Sequence, residues 1–406
     1  MSTATTTQNS KQTSFFSNLR RVLQENVREY GMFIALFAIM IIFGFTTKGT
    51  FLSSRNIVNL VNQAGYIAVL AVGMTLVIVI RHIDLSVGFL GGFLGAVAAI
   101  GMTRWNLPIY IVIPMILGLG ILAGLIIAFL VAQLGIPSFV ASLAGWLIYR
   151  GAILVVTEAT GTIIIPNEGF NAIGNSFIPE IPGLTFWPNI HKLTLLFGLI
   201  GIIALIASEI RSRKNKMAYN FEVLPMEIFV LKLFFMSVLI GAITWLLAGY
   251  QGLSWTAVVV LLVVFVYNFI TNRTVLGRHI YAVGGNPEAA ELSGIDVKRI
   301  IYIVFGSMGM LASLAGMLYA SRLRSATTTA GTLWELDAIA AAYVGGVSAA
   351  GGVGKVIGSI IGALVMMSLT NGMNLMGIGI SYQYIVRGAV LAAAVIFDVA
   401  TRNRGK

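Results

Sequence analysis

The sequence predicts an all-α fold, a polytopic transmembrane helical bundle, and three observations carry that prediction. Of the 406 residues, 58% are hydrophobic and only 10% are charged, whereas an ordinary soluble domain has about 25% charged residues. Apolar stretches of about 20 residues, the length needed to cross a bilayer core, recur along the chain. The 45 glycines suit helices that pack closely inside a membrane. The composition therefore excludes a soluble globular protein.

The apolar stretches follow one another with short polar connections between them. They are predicted at 31–47, 57–80, 84–103, 108–131, 138–157, 192–210, 226–249, 253–271, 299–321, 354–375 and 382–400. A further stretch, 336–350, is apolar but short and rich in Gly, so it is expected to be either a half-helix or a re-entrant element. With it, the bundle has about 11–12 membrane segments.

The charged residues predict the orientation of the bundle. Residues 1–29 are expected to form an amphipathic cytoplasmic segment, 30–401 the membrane domain and 402–406 a cytoplasmic tail. The positive-inside rule then places the basic clusters at 211–216, 273–299 and 402–406 in the cytoplasm, with the loop 158–191 outside. The basic residues that depart from the rule are Lys48, Arg55, Arg322 and Arg324.

Several classes of function find no support in the sequence. The net charge of +11 lies in short loops rather than in a basic stripe with aromatic residues, so no nucleic-acid partner is expected. The chain has no Cys, and its three His residues are scattered, so neither a metal site nor a cofactor is predicted. The phosphate-binding loop of ATPases, the serine nucleophile elbow and the zinc-binding His pair are all missing, so no catalytic residues are assigned.

The first candidate site is the segment Arg81–Gly88, where two spans meet without a polar loop. An ionisable residue inside a membrane is costly and is a functional candidate by default. Asp84 and Ser86 are therefore candidates for lining a translocation pathway. The alternative is structural: Asp84 caps a helix start and Arg81 anchors the chain at the interface.

The second candidate is a coupling segment at 277–298. Gly284–Gly285 predicts a turn, Asn286 a cap, Pro287 the first helical position and Gly294 the end of a short helix. Such an exposed helix suits a groove on a cytoplasmic partner, although an ordinary connecting loop is the alternative. Ala289, Ala290 and Leu292 are expected to face that partner. The candidate coupling residues are Gly284, Gly285, Asn286, Pro287, Glu288, Ala289, Ala290, Glu291, Leu292, Ser293 and Gly294.

The third candidate is the Gly-rich segment Glu335–Gly354, in which Asp337 and Tyr343 are candidates for lining the pathway. Broken helices at membrane depth commonly line substrate routes, whereas close packing alone is the alternative. Because each combines a carboxylate with Gly-rich sequence, the region around Asp84 and the element 336–350 are expected to meet near a subunit axis.

These segments resemble the permease subunits of bacterial ATP-binding-cassette importers for pentoses and hexoses, the ribose, xylose and galactose group. The resemblance runs over 31–400 and rests on four stretches, GMTLVIVIRHIDLSVG (73–88), GRHIYAVGGNPEAAELSGI (277–295), ELDAIAAAYVGGVSAAGGVGKVIGSIIGA (335–363) and SYQYIVRGAVLAAAVIFD (381–398). An insertion at roughly 192–250 resembles the xylose or multiple-monosaccharide branch rather than the shorter ribose branch.

The resemblance implies a multi-pass permease in the bacterial inner membrane that carries a monosaccharide, xylose or a related sugar, through the lipid bilayer. It also implies cytoplasmic ATP-binding subunits that meet 284–295, a periplasmic sugar-binding protein that largely selects the sugar, and a second copy of the permease in a homodimer. Two alternatives are an ion-coupled secondary transporter, which should show more intramembrane carboxylates, and a membrane-embedded enzyme.

Overall fold

A computed structural model describes residues 27–157, 161–180, 187, 190–221 and 223–403. Most of the predicted amphipathic segment (1–26) and the end of the predicted tail (404–406) lie outside the described residues. The predicted all-α fold is confirmed, because helices make up almost all of the described structure. Among the described residues, nine helices are long and apolar enough to cross a membrane, and two shorter apolar stretches, Gly31–Thr46 and Val87–Thr103, accompany them.

The helices follow one another with short connections. They are α1 (Val27–Thr46), α2 (Ser54–Val79), α3 (Val87–Thr103), α4 (Ile109–Ala132), α5 (Ser138–Thr157), α6 (Glu168–Asn175), α7 (Lys192–Ala218), α8 (Met226–Ala248), α9 (Trp255–Arg273), α10 (Val275–Gly285), α11 (Pro287–Leu292), α12 (Val297–Leu323), α13 (Trp334–Val344), α14 (Val356–Leu375) and α15 (Ile380–Asn403).

Two short strands form a ribbon at one end of the bundle. Strand β1 (Thr162–Ile164) pairs antiparallel with β2 (Ser325–Thr327), in a register that sets Ile163 opposite Ala326. This end, which also holds α6, is called the β side below. Helices α10 and α11 lie at the other end, called the α11 side.

The bundle has a buried centre and an exposed rim. In α2, 83% of the apolar window is buried inside the chain, and α12 and α14 reach 72% each, whereas α7 and α8 reach only 11% and 6%. Helices α7 and α8, which come from the predicted insertion, form a hairpin at the rim. Its two helices are tied by an ion pair of 2.9 Å between Lys232 Nζ and Glu209 Oε1.

Glycines bring the central helices into backbone contact. The backbones of Gly120 in α4 and Gly309 in α12 touch, and a methyl group added to either would meet the carbonyl oxygen of the other. In α3, a methyl group at Gly91 would lie 2.8 Å from the carbonyl oxygen of Ala312. Small residues allow this close approach between membrane helices, so dispersion contacts replace the hydrophobic effect that lipid does not supply.

Helix α3 begins in the middle of the bundle rather than at its edge. Its early residue Gly91 packs on Ala312, about 22 Å from the start of α12 at the helical rise of 1.5 Å per residue. Since α12 is 27 residues long, or about 40 Å, this point is near its midpoint. Helix α3 therefore occupies the half of the bundle toward the β side.

Helix α13 occupies the other half. From β2 the chain runs back into the bundle beside α3, so that a methyl group at Gly92 would lie 2.7 Å from the carbonyl carbon of Ala330. The helix then runs to the α11 side, where Gly345 packs on Gly358 at the start of α14. Of the two expectations for 336–350, the structure supports a half-helix, since the chain enters from one side and leaves on the other.

Candidate functional site

The first turns of the half-helices α3 and α13 meet at the centre of the bundle. A methyl group at Gly88 would lie 2.5 Å from the carbonyl oxygen of Gly331 and would also meet the carboxylate of Glu335. Gly88 therefore leaves room for an acidic side chain from the other half-helix. The carboxylate lies against the start of α3, where the positive end of the helix dipole favours a negative charge.

Asp84 lies just before α3 and is almost fully buried, with 2% of its surface exposed. One of its carboxylate oxygens, Oδ1, accepts a hydrogen bond from the backbone N–H of Ser86 at 2.9 Å and another from the Ser86 hydroxyl at 2.6 Å. The candidates Asp84 and Ser86 thus form one local turn that positions the first residue of α3. Ser86 precedes α3 as its cap residue, although its side chain makes no capping hydrogen bond.

One face of α5 contacts the chain near the starts of both half-helices, α3 and α13. The sequence analysis missed this face. Its residues Ser138, Ser142, Trp146 and Arg150 recur every four positions, one helical turn apart. Ser138 Oγ accepts from the N–H of Ile83, and Ser142 Oγ donates to the carbonyl oxygen of Ile83. The visible signal was a polar and aromatic stripe in an otherwise apolar span, where polar groups join helices.

The same face of α5 reaches α13 through Trp146 and Arg150. Trp146 Nε1 donates to Glu335 Oε1 at 3.0 Å, and Arg150 Nη1 donates to the carbonyl oxygen of Thr328 at 2.8 Å. The other carboxylate oxygen, Glu335 Oε2, is buried and has no hydrogen-bond partner among the described residues. An unpaired buried oxygen is costly, so Glu335 is a functional candidate that the sequence analysis did not single out.

Asp337 lies one turn beyond the start of α13 and pairs with a different helix. Its Oδ2 atom is 3.2 Å from Nη1 of Arg387 in α15. Beside this pair, Tyr66, Tyr319 and Trp334 form an aromatic cluster with ring centroids 4.6–5.2 Å apart. The first turns of the half-helices thus meet, but the carboxylates of Asp84 and Asp337 have separate partners. Their position near a subunit axis stays a prediction.

Tyr343, the remaining pathway candidate, lies near the end of α13 on the α11 side. It lines a mainly apolar cavity of about 450 Å³ between α1, α13, α14 and α15, together with Asp398. Asp398 also accepts a hydrogen bond from the N–H of Ala349 at 3.1 Å. The neighbours of Tyr343 are therefore different from the neighbours of Asp84.

Helix α11 has the local structure that the sequence predicts. The Asn286 side chain caps it by accepting from the N–H of Ala289, Pro287 occupies its first turn, and Gly294 beyond its end has a left-handed φ of 84°. Leu292 is 91% exposed, which is unusual for a large apolar side chain unless a partner covers it. Gly284 and Gly285, by contrast, end helix α10 rather than form a turn.

One expectation about α11 is wrong. Ala290 is only 5% exposed and belongs to the main core of the chain. Its methyl group therefore points into the protein, because α11 packs on the chain along one face and Ala290 lies on that face. Ala289 and Leu292 remain exposed to a partner.

The preceding helix α10 ties this region to the loop between α13 and α14. The Tyr281 hydroxyl donates to the carbonyl oxygen of Gly354 at 2.6 Å. Burial raises the pKa of the Tyr281 hydroxyl above its ordinary value, so the group stays protonated and remains a donor. This hydrogen bond joins α10 to the loop that leads into α14.

A many-helix membrane bundle with half-helices that meet at its centre is typical of transport proteins. Consistent with this, the family model for "branched-chain amino acid transport system / permease component" matches residues 56–395. The chain belongs to this family. It is a multi-pass permease component of the bacterial inner membrane and is not itself an enzyme. This membership supports a permease over an ion-coupled transporter.

Curated relatives align over nearly the whole chain. The xylose transport system permease protein of Escherichia coli strain K12 is 38% identical over 391 residues, which cover 96% of this chain and 95% of the relative. Its counterpart from Haemophilus influenzae is 37% identical over 381 residues, covering 93% and 98%. The ribose import permease protein of Escherichia coli strain K12 is 33% identical over 353 residues, covering 87% and 88%. No solved structure matches the chain.

Proposed function

We propose that this chain is the membrane permease of an ATP-driven importer that carries xylose or a related monosaccharide. The relatives named for xylose match at higher identity and over more of the chain than the relative named for ribose. The α7–α8 hairpin supports the same branch, because it is the insertion that the sequence analysis associated with the xylose or multiple-monosaccharide branch. A periplasmic sugar-binding protein delivers the sugar, and two copies of the permease form a homodimer within the lipid bilayer.

The observation that carries the proposal is the exposed, capped helix α11. Its Leu292 side chain is 91% exposed on the side that the positive-inside rule assigns to the cytoplasm. A short helix with an apolar tip gains binding energy when it enters a groove on a partner. That partner is the ATP-binding subunit, and the coupling residues are Gly284 to Gly294 with Ala289 and Leu292 at the contact.

The sugar pathway passes the point where α3 and α13 meet. Irregular backbone at membrane depth is tolerated where protein or water surrounds it, and substrate sites of transporters are commonly formed by such broken helices. Asp84, Ser86, Asp337 and Tyr343 are proposed to lie along this route from the centre to the α11 side.

Ala289→Arg tests the docking of α11. The bulky charge is expected to lower co-purification of the ATP-binding subunit at least 10-fold, about 1.4 kcal/mol of binding free energy, and to abolish ATP-dependent xylose uptake in proteoliposomes. Ala218→Arg is the matched control, since Ala218 is also exposed and ends α7 on the same side. Uptake that depends on an ion gradient instead of ATP would contradict the proposed function, and unchanged co-purification would contradict the role of α11.

A further inference from the structure

Three separate segments meet backbone to backbone beneath α11, and we call this contact the glycine junction (residues 79–81, 284–285 and 351–352). The N–H of Gly352 donates to the carbonyl oxygen of Val79 at 2.9 Å. A methyl group at Gly351 would lie 2.7 Å from the carbonyl oxygen of Gly284 and 2.9 Å from that of Val79. A side chain at Gly284 or Gly351 would collide with the backbone of the other segments, so the three segments are in direct contact at these two residues.

The conformation of the third segment depends on glycine. Gly351 and Gly352 have φ angles of 80° and 70°, in the left-handed region where a side chain is disfavoured. An alanine at Gly351 would therefore be strained by its backbone and would also collide with Gly284 and Val79. The close contact and the left-handed backbone occur at the same residues.

Arg81 forms two hydrogen bonds across the junction. It adopts a left-handed φ of 66°, which turns the chain away from the end of α2. Its Nε donates to the carbonyl oxygen of Gly284 at 2.7 Å, and its Nη2 donates to that of Gly285. These carbonyls belong to the last turn of α10 and lack helical partners. The flat guanidinium can serve two carbonyls at once, which a lysine ammonium does less well.

The three segments of the junction belong to different regions of the chain, which lie next to α11, before α3 and between α13 and α14. Gly285 is followed directly by α11, with Asn286 as its cap. Arg81 is three residues before Asp84 and six residues before Val87, where α3 begins. Gly351 and Gly352 lie in the loop between α13 and α14, which Tyr281 also binds at Gly354. The junction therefore connects the start of α11 with the segment that leads into α3 and with the loop that follows α13.

We propose that Arg81 and the glycine junction transmit the movement of α11 to the half-helices α3 and α13. Arg81 is thus a positioning residue for energy coupling, not a residue that touches the sugar or the ATP-binding subunit. This inference rests on the proposed function, since it assumes that α11 receives the movement of an ATP-binding subunit.

The test measures coupling separately from assembly in the reconstituted importer. Arg81→Ala and Gly351→Ala are expected to co-purify with the ATP-binding subunit and to keep the basal rate of ATP hydrolysis. Xylose uptake and the stimulation of hydrolysis by the xylose-loaded binding protein should each fall at least 10-fold. Arg81→Lys, which keeps the charge but not the fork of donors, should recover part of the stimulation.

Arg273→Ala serves as the control, because Arg273 is exposed at the end of α9 and lies outside the junction. It should behave as the unmodified protein. Full stimulation in both Arg81→Ala and Gly351→Ala would overturn the inference. Loss of folding or of co-purification in all three junction variants would overturn it too, since the junction would then be needed for assembly. Failure of the unmodified permease to bind the ATP-binding subunit would instead refute the proposed function.

Discussion

The three buried carboxylates near the starts of the half-helices have three different sets of partners. Asp84 is satisfied within its own turn by Ser86, whereas Asp337 pairs with Arg387 of α15. Glu335 binds Trp146 through one oxygen and lies against the first turn of α3 with the other. Because an ionised group inside a membrane costs several kcal/mol unless it is compensated, these contacts offset the burial of Asp84 and Asp337, whereas Oε2 of Glu335 has no hydrogen-bond partner among the described residues.

Asp84→Asn separates a pathway role from a structural role. The amide oxygen of Asn can still accept hydrogen bonds from Ser86. The free energy of unfolding is therefore expected to change by no more than about 1 kcal/mol. Xylose uptake is expected to fall about 10-fold or more, because the charge along the proposed route is removed. The measurements are uptake in proteoliposomes and thermal unfolding in detergent.

Glu227→Gln is the matched control for Asp84→Asn. Glu227 is exposed in the first turn of α8, so the variant loses a similar charge at a helix start but lies away from both the proposed route and the coupling segment. Its uptake should remain close to that of the unmodified protein. If Asp84→Asn does not insert or fold, the carboxylate is structural and the pathway role of Asp84 is wrong.

Helices differ in how much they rely on close packing. The half-helix α3 presents Gly88, Gly91, Gly92 and Gly95 to neighbouring backbones, and each would clash if it carried a methyl group. The α7–α8 hairpin depends instead on a few side-chain contacts, such as the ion pair between Lys232 and Glu209. Side-chain contacts can readjust, whereas backbone contacts cannot, so substitutions should be more harmful in α3 than in the hairpin.

Gly88→Ala tests the contact between the half-helices. The added methyl group would meet Glu335 and the carbonyl oxygen of Gly331, so we expect a destabilisation of about 1–3 kcal/mol and weaker uptake. Gly151→Ala is the matched control, because this helical glycine in α5 has open space around it. That change should be neutral or stabilise by up to about 1 kcal/mol. Equal unfolding temperatures for the two variants would show that the half-helices do not meet as described.

At the scale of the molecule, the strongest basic clusters lie at one end of the bundle. The basic residues of 211–216 and of the α10–α11 region lie on one side, and β1, β2 and α6 lie on the other. Of the four basic residues that depart from the positive-inside rule, Arg322 is partly buried at the end of α12, whereas Lys48, Arg55 and Arg324 are exposed. Packing within the protein therefore distinguishes Arg322 from the other three.

Labelling of single cysteines tests the orientation, since the natural chain has no Cys. Ser212→Cys and Glu168→Cys place a thiol at exposed positions on opposite sides. An impermeant thiol reagent added to intact spheroplasts is expected to label Glu168→Cys and to leave Ser212→Cys unmodified until the membrane is opened. The reverse pattern would invert the topology and move α11 outside.

Much of the architecture was accessible from sequence, and the site was accessible in part. The caps of α11 were predicted because Asn286, Pro287 and Gly294 act within a few residues of each other. The inward position of Ala290 was not, because it depends on which face of a short helix meets the core. The α5 stripe was missed because the partners of Trp146 and Arg150 lie in α13 and in the segment before it, far away in the sequence.

The sequence by itself determined that this chain is a membrane bundle, where most of its spans lie and where a capped helix leaves the membrane. These properties follow from apolar length and from local capping, which act over one segment at a time. Only the tertiary structure decided that α3 and α13 each begin at the centre of the bundle and that Arg81 binds the end of α10. Those features depend on backbones that approach closely at glycines such as Gly88, Gly331 and Gly351, and residues distant in sequence create the space at each of them.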